Sequence, residues 1–335
     1  ISLNAFKAYG LGKGVLVENI NINEIEGVKI GNAQDYNGGT GITVILCPNG
    51  ARAGVDIRGG GPASRETPLL NPVADAEIIH SVVLSGGSAF GLDAAGGVME
   101  YLEKKNIGFD VGVTKVPLVC QSCIFDLPVG DVFARPDKAM AIKACENAEL
   151  NEPKSGCVGG GTGATVGKIL GAERCTKSGL GIACVKIGEL KLGAVVVLNA
   201  FGDVFDTNGK RIAGLLNEDK TGFSSTEEEM YKSIQPKKQF NTNTTIGAII
   251  TNGKFDKTKL NKIASMTHNG YARSINPVHT MADGDSIYAL SVGEVEADLN
   301  TVGTLSARVM SMAIENAIKS AESMYGLTAY KDLKF

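Results

Sequence analysis

Histidine is scarce in this 335-residue chain, which contains only His80, His268 and His279. A Ser-His-Asp triad needs a histidine beside its nucleophile, and none of the three stands in a sequence context that suggests one. His80 precedes a buried strand, so we interpret it as a structural histidine. The sequence therefore favours chemistry that does not depend on histidine.

The chain also lacks long apolar segments and a strong charge of either sign. Its longest apolar runs, such as GAVVVLNAF, are far too short to span a bilayer. The net charge is −3 and the pI is near 5.8, so no basic surface for nucleic acid or anionic membrane is indicated. The opening ISLNAFKAYGLGKG shows no continuous apolar segment of the kind that signal peptides carry. We expect neither nucleic acid nor membrane as a partner.

Seven cysteines, an odd number, are scattered through apolar contexts. This usage predicts buried, reduced thiols and a cytoplasmic location. Cys120 and Cys123 form a lone CxxC with no second pair at metal spacing, so we favour structural thiols over a redox or zinc site. No metal and no other cofactor is expected.

Glycine, in contrast, is abundant, with 43 residues clustered between apolar runs. Such clusters indicate tight turns and close backbone approaches. The segments TGITVILC and ARAGVDI flank Pro48-Asn49-Gly50, which predicts a hairpin. Further strands are predicted at HSVVLSGG, LGIACVKIG, LKLGAVVVLNA and SIYALSVG, and helices at 88–106, 136–148, 256–273 and 300–325, with a short one in STEEEMYKSI. This order predicts a layered α/β architecture and a single domain, 1–335.

Two glycine-rich stretches resemble nucleotide or nucleophile motifs but fail in register. In GCVGGGTGATVGKIL the glycines stand at the wrong distances from Gly167-Lys168 for a phosphate-binding loop, and Ile169 follows the lysine. In SGGSAFG, Phe90 occupies the place where a nucleophile elbow needs glycine. We therefore interpret Ser88 as the cap of the following helix.

Three polar residues have both an ordinary and a functional interpretation. Asp283 and Asp285 lie two residues apart before a strand, so they form either a turn with solvated acids or a pair of carboxylates on one side of an extended chain. Asn199 ends the apolar run GAVVVLNAFGD, where it is either a turn residue or a donor to a developing oxyanion.

The stretch QFNTNTTIGAIITNG, residues 239–253, is either an ordinary strand entry or the site of a reactive threonine. Asn and Thr are ordinary residues at a strand entry. Cleavage before a threonine, however, would leave a hydroxyl and a free α-amine on one residue. Such an amine has a pKa of about 7.7–8.0 and can serve as the base for its own hydroxyl, without histidine.

Several stretches together resemble one family. They run in family order from about residue 26 to 325: TVILCPNGARAGVDIRGGGPASRETPLL, HSVVLSGGSAFGLDAAGGVMEYLE, GVTKVPLVCQSCIFDL, GGGTGATVGK, GAVVVLNAFGDV, NTTIGAIITN and NPVHTMADGDSIYALSVG. The chain is identified as a member of the DmpA-like, self-processing L-aminopeptidase/D-esterase-amidase family, which includes β-peptidyl aminopeptidases and the nylon-oligomer endohydrolase.

The resemblance implies an αββα sandwich made as one inactive precursor. It implies a cut between Asn243 and Thr244, giving chains 1–243 and 244–335, and it selects Thr244 over Thr242 and Thr245. The threonine type and the preceding asparagine are similar to the nylon-oligomer hydrolase branch. In that branch a lysine, an asparagine and two aspartates support the threonine, and by motif these fall on Lys168, Asn199, Asp283 and Asp285.

The implied activity is hydrolysis of amide bonds in small peptides, amino-acid amides or related oligomers through an acyl-enzyme on Thr244. Asn199 would donate to the oxyanion, the charge of Lys168 would lower the pKa of the new amine, and Asp283 and Asp285 would orient Thr244. The alternatives are an N-acyltransferase similar to ornithine acetyltransferases, which share the fold, and an uncleaved binding homologue. By resemblance, a homotetramer is expected.

Overall fold

The structure is a computed structural model that describes residues 6–7, 16–232 and 243–335. Thr242, one of the candidate nucleophiles, and the end of STEEEMYKSI lie outside the described residues. The helices are α1 (Ala95–Lys104), α2 (Lys138–Ala148), α3 (Thr226–Tyr231), α4 (Lys257–Ser274) and α5 (Leu299–Ser320). The strands are β1 (Phe6–Lys7), β2 (Leu16–Asn19), β3 (Lys29–Asp35), β4 (Thr40–Ile57), β5 (Ala63–Arg65), β6 (Ile79–Ser85), β7 (Phe109–Asp110), β8 (Lys115–Val116), β9 (Val119–Cys123), β10 (Thr165–Val166), β11 (Thr176–Lys177), β12 (Leu180–Ile187), β13 (Leu190–Asn199), β14 (Asp203–Phe205), β15 (Arg211–Ala213), β16 (Thr244–Gly253), β17 (Ile275–Asn276) and β18 (Ser286–Val295).

The strand β4 corrects the predicted hairpin. It runs without reversal through Pro48-Asn49-Gly50, and its register shifts between Leu46 and Ala51. Its first half pairs with β3 and β6, whereas residues 52–57 pair with β18. The hairpin prediction was wrong because turn-forming residues also suit an irregular point where one strand passes from one sheet to another.

Two sheets share β4 and pack face to face. The first has the order β2-β12-β13-β16-β18-β4, with β16 and β18 parallel, and the second joins β3, β4, β6, β9 and β5. The core between the sheets includes Ile45, Val82 and Leu84 of the second sheet and Val195, Val197, Ile246 and Leu290 of the first. These side chains alternate with residues of the outer faces, as the pleat requires.

Helices cover the outer face of each sheet. Leu260 and Ile263 of α4 and Val309 and Ile314 of α5 pack against the first sheet. Val98 and Leu102 of α1 and Ala141 and Ala144 of α2 pack against the second. The layers are therefore α, β, β and α, which confirms the predicted sandwich.

The helix ends show where local sequence rules hold. Asp137, Asp256 and Asp298 cap α2, α4 and α5 by accepting a main-chain N–H three residues later. Ser88 does not cap: it lies at φ 53° inside a 3₁₀ turn, Ser88–Ala94, that begins after Gly87. In the described ranges, no helix has both the length and the hydropathy that crossing a membrane requires.

Candidate active site

Thr244 is the first residue of β16, at the end of the central strands of the first sheet. It is paired across the ladder with Asn199, the last residue of β13. The preceding residue, Asn243, is held against the turn before β18, because its N–H donates to Ala282 O at 2.7 Å. The opening stretch of the strand is therefore fixed from two sides.

The carbonyl group of Asn243 receives two hydrogen bonds. The Thr244 hydroxyl Oγ1 donates to it, and the Gly284 N–H donates to it at 2.9 Å. A Cβ at position 284 would lie 2.7 Å from Thr244 Oγ1 and 2.7 Å from Gly61 O, so only glycine fits between the two aspartates. The bond before Thr244 thus has a hydroxyl beside it and a main-chain donor on its carbonyl oxygen.

Asn199 is fully buried and its amide has a fixed orientation. Its Oδ1 accepts from Lys168 Nζ at 2.5 Å and from Thr165 N at 3.1 Å, while its Nδ2 donates to Phe125 O at 3.1 Å. Two donors facing the oxygen exclude the flipped amide. One of the two amide hydrogens is used by Phe125, and the other is left for a further acceptor.

Lys168 reaches the same corner from the segment after β10. Its Nζ also donates to the main-chain carbonyl of Asn199 at 3.1 Å. Burial lowers the pKa of the Lys168 ammonium to about 8, although nearby Cys175, Asp283 and Asp126 act in the opposite direction. Gly167, at φ 77°, permits this approach, since a Cβ there would lie 2.1 Å from the main chain of Gly214 and Leu215.

The two aspartates are buried, with 2% and 1% exposure, so the interpretation as solvated acids was wrong. Asp285 Oδ1 accepts from Thr245 N at 2.7 Å, and its Oδ2 accepts from His279 Nδ1 at 2.8 Å. Asp283 Oδ2 accepts from the Thr280 hydroxyl at 2.7 Å and the Thr280 N–H at 2.9 Å. Burial, together with the charge of Asp285, raises the pKa of Asp283. Through its contact with the Thr245 N–H, the Asp285 carboxylate binds the main chain directly after Thr244.

A cavity of about 550 Å³ opens beside Asn243 and Lys168. Its wall includes Phe125, Pro128, Val129, Thr165, Cys175, Glu173, Lys220, Tyr325 and Leu327. The buried side-chain amide of Asn243 has no hydrogen-bond partner among the described residues. The cavity therefore lies on the Asn243 side of the Asn243–Thr244 bond and is large enough for a small ligand.

Two residues that sequence reasoning passed over belong to this site. Gly284 was not singled out from the sequence, and no suggestive setting was found there for His279. The sequence signal that could have identified Gly284 is its place between two acidic residues, Asp283 and Asp285. No local signal identifies His279, because its contact with Asp285 depends on a left-handed turn conformation at this residue, φ 58°.

The remaining candidates have structural roles. His80 is buried and its Nδ1 accepts from Leu118 N at 3.1 Å, which agrees with a structural histidine. Cys120 and Cys123 are buried free thiols on β9, and burial raises the pKa of each to about 12. Thiols that remain protonated at neutral pH are poor nucleophiles, so the CxxC does not have the environment of a redox pair.

Comparison with known protein families gives one consistent result. The sequence model of peptidase family S58 matches residues 20–331. An uncharacterised aminopeptidase of Mycobacterium bovis is 34% identical over 93% of this chain and 97% of its own length. A 6-aminohexanoate-oligomer endohydrolase of Kocuria sp. is 31% identical over 88% of this chain and 85% of its own length.

Solved structures share the fold. The L-aminopeptidase D-Ala-esterase/amidase of Ochrobactrum anthropi, described as a variant of the Ntn hydrolase fold, aligns with a TM-score of 0.68 at 20% identity, over 90% of this chain and 86% of its own. A Burkholderia sp. beta-aminopeptidase aligns with a TM-score of 0.67 at 17% identity, over 98% of each chain.

Proposed function

This chain belongs to peptidase family S58 and is a hydrolase of peptide or other amide bonds, and we propose that it activates itself by cutting its Asn243–Thr244 bond. Thr244 is the nucleophile in this proposal, first for its own chain and then for substrate. The products of the first reaction are chains 1–243 and 244–335. The supporting observation is the Asn243 carbonyl, which accepts from both the Thr244 hydroxyl and the Gly284 N–H.

Self-cleavage begins with attack of Thr244 Oγ1 on the carbonyl carbon of Asn243. The Oγ1 proton leaves to a base, the C–N bond breaks, and the departing Thr244 nitrogen takes up a proton to become the free α-amine. Water then hydrolyses the ester that joins Asn243 to Oγ1, giving a carboxylate at Asn243. The Gly284 N–H stabilises the negative charge that develops on the carbonyl oxygen during attack.

Before the cut there is no α-amine, so the precursor needs another base. We assign this role to Lys168, whose Nζ lies within hydrogen-bonding distance of Asn199, the residue paired directly with Thr244. Because burial lowers its pKa to about 8, Lys168 loses its proton more readily near neutral pH than an ordinary lysine does. After the cut, the Thr244 α-amine, with an ordinary pKa of about 7.7–8.0, becomes the base for its own hydroxyl.

The position of the cavity supports a proposal about the part of a substrate that it holds. Because the cavity lies on the Asn243 side, it holds the acyl part of a substrate, as the precursor holds Asn243. We propose that it takes short acyl groups of peptides, amino-acid amides or related oligomers, and that water releases them from an acyl-enzyme on Thr244. Asn199 retains one amide hydrogen for the oxyanion of that reaction.

Two further proposals concern the oligomeric state of the protein and its location in the cell. We propose a homotetramer, which light scattering at micromolar concentration tests, with a monomer as the contradicting result. The described cysteines are all free thiols, which supports a cytoplasmic location.

The decisive test of function compares wild type with Thr244→Ala and Thr244→Ser. Wild type is expected to give two bands on a denaturing gel and to hydrolyse a p-nitroanilide of an amino acid. The alanine variant should stay intact and inactive, because it lacks the hydroxyl, and the serine variant should still cut itself. Normal amide hydrolysis by Thr244→Ala would identify another nucleophile.

Family membership favours hydrolysis over the two alternatives, acyl transfer and binding alone. Incubation with acetyl-ornithine and glutamate separates them, since an acyltransferase forms acetyl-glutamate and a hydrolase releases acetate or nothing. A wild-type chain that neither cuts itself nor turns over any amide would favour a binding protein.

A further inference from the structure

His279 has a left-handed backbone conformation, with φ 58°. Residues with a Cβ adopt this conformation uncommonly, and asparagine, aspartate and histidine do so more often than the others. Residues held in sparsely populated backbone conformations cluster at functional sites. The question is therefore what the histidine side chain contributes from this position.

The left-handed turn directs two donors of His279 at one carboxylate oxygen. The Nδ1–H donates to Asp285 Oδ2 at 2.8 Å, and the main-chain N–H donates to the same oxygen at 3.2 Å. The other oxygen of Asp285, Oδ1, accepts from Thr245 N at 2.7 Å. Asp285 thus forms a bridge from His279 to the peptide group that joins Thr244 to Thr245.

The imidazole ring is packed on its other side. His268 lies edge-on to it, with ring centroids 4.7 Å apart, and Tyr271 lies 6.1 Å away. The Nε2 of His279 is buried and has no partner among the described residues. Because the Asp285 carboxylate is the acceptor, Nδ1 of His279 carries a proton and acts as the donor of this hydrogen bond.

We propose that His279 is a positioning residue for Thr244 that acts through Asp285, and this rests on the proposed function of Thr244. Its two donors fix the rotation of the Asp285 carboxylate, and the carboxylate in turn fixes the main chain immediately after the nucleophile. His279 contacts neither the Asn243 carbonyl nor the Thr244 hydroxyl. Loss of the ring therefore disturbs the alignment of Thr244 and leaves its chemistry in place.

The test uses substitutions that tolerate a left-handed backbone. His279→Asn keeps an amide N–H near the position of Nδ1, whereas His279→Gly keeps the backbone and removes the side chain. His80→Asn is the matched control, since it alters a buried histidine that serves only a main-chain contact. Each variant is followed by its self-cleavage time course, by steady-state kinetics on an amino-acid p-nitroanilide, and by its melting temperature.

We expect His279→Gly to slow self-cleavage and kcat by roughly 10- to 100-fold, with KM changed less than about threefold, because misalignment affects the transition state more than binding. His279→Asn should recover most of the loss, and His80→Asn should react at the wild-type rate. If His279→Gly does not fold at the assay temperature, His279→Ala replaces it, since alanine restricts the unfolded chain more than glycine does and also lacks the donor.

Two results would overturn the inference. One is a folded His279→Gly variant with wild-type rates in both reactions. The other is a His279→Asn variant as slow as His279→Gly, which would assign the effect to the imidazole itself and not to its hydrogen bond with Asp285. Failure of the proposed function is recognised separately, because Thr244→Ala would then remain active.

Discussion

Two nearby lysines, Lys168 and Lys177, have very different surroundings: Lys168 is half-buried, whereas Lys177 is fully buried. Lys177 lies in a cage of carbonyl oxygens: its Nζ donates to Ser178 O at 2.6 Å, Ala164 O at 3.0 Å and Gly161 O at 3.4 Å. Lys168 has two acceptors, both on Asn199, and faces the cavity. Burial lowers the pKa of both ammonium groups, so the pKa direction does not distinguish them.

The number of satisfied donors does distinguish them. An ammonium has three N–H groups, and Lys177 uses all three within the protein. Deprotonation there would leave carbonyl oxygens without a donor, so we assign it a structural role. Lys168 keeps one N–H for the cavity and can exchange its proton with a reacting group. Of the two lysines, the one whose N–H groups are incompletely satisfied within the protein is therefore the one available for reaction.

The largest expected effect is that of Lys168→Met. The variant should fold, since methionine fills a similar volume, but self-cleavage should fall by about 10²–10⁴-fold, the usual contribution of a general acid or base. Amide hydrolysis should fall with it, because an uncut chain has no free α-amine on Thr244 to act as the base. The rates come from gel densitometry and p-nitroaniline release. Wild-type rates in this variant would remove the difference between the two lysines.

Asn199→Ala should come next. Removing one oxyanion donor typically lowers kcat by about 10²–10³-fold, with a smaller effect on KM. Self-cleavage should slow less than hydrolysis, because the Gly284 N–H already serves the Asn243 carbonyl. Steady-state kinetics beside a processing time course check this, and equal losses in the two reactions would mean that both use Asn199 in the same way.

Lys177→Met should show the opposite pattern from Lys168→Met. It leaves three buried carbonyls without their donor, so the free energy of unfolding should drop by about 3 kcal/mol or more. Chemical denaturation measures the change. Variant molecules that remain folded should still cut themselves at a rate near that of wild type, and a rate loss without a stability loss would contradict the assignment.

The pH dependence of self-cleavage tests the role of Lys168 as the base without any substitution. Its neutral form is the active base of the precursor, so the self-cleavage rate should rise about tenfold per pH unit below pH 8 and level off above it. Precursor made by refolding at low pH and then shifted to a series of pH values provides the profile. A rate independent of pH between 6 and 8 would exclude Lys168 as that base.

The sequence predicted the parts of the site that local pattern encodes. The strand after Asn243, the buried end of β13 at Asn199 and the layered architecture follow from apolar periodicity and from resemblance. The position of Lys168 near Asn199 was expected from resemblance alone and not from local pattern, because it depends on Gly167 passing against the main chain of Gly214, more than forty residues away. The same holds for Gly284, whose donor role arises only when its turn meets Asn243.

The passage of β4 between two sheets shows the same limit. Residues on either side of Pro48-Asn49-Gly50 each read correctly as strand, yet the direction of the chain between them depends on which partners those strands find. Local turn preference is a weak constraint when two apolar segments can each bury against a different sheet. The pairing of β4 with strands of both sheets, and not the local turn residues, determines that the chain continues without reversal here.

If the protein cuts itself before Thr244, this residue becomes the amino terminus of a second chain. An intact-mass spectrum of purified wild-type protein, followed by amino-terminal sequencing of the smaller fragment, tests this self-cleavage most directly. We expect two masses that correspond to chains 1–243 and 244–335, with the smaller chain beginning Thr-Thr-Ile-Gly. A fragment that begins at Thr242 or Thr245, or a single uncut chain after prolonged incubation, would contradict it.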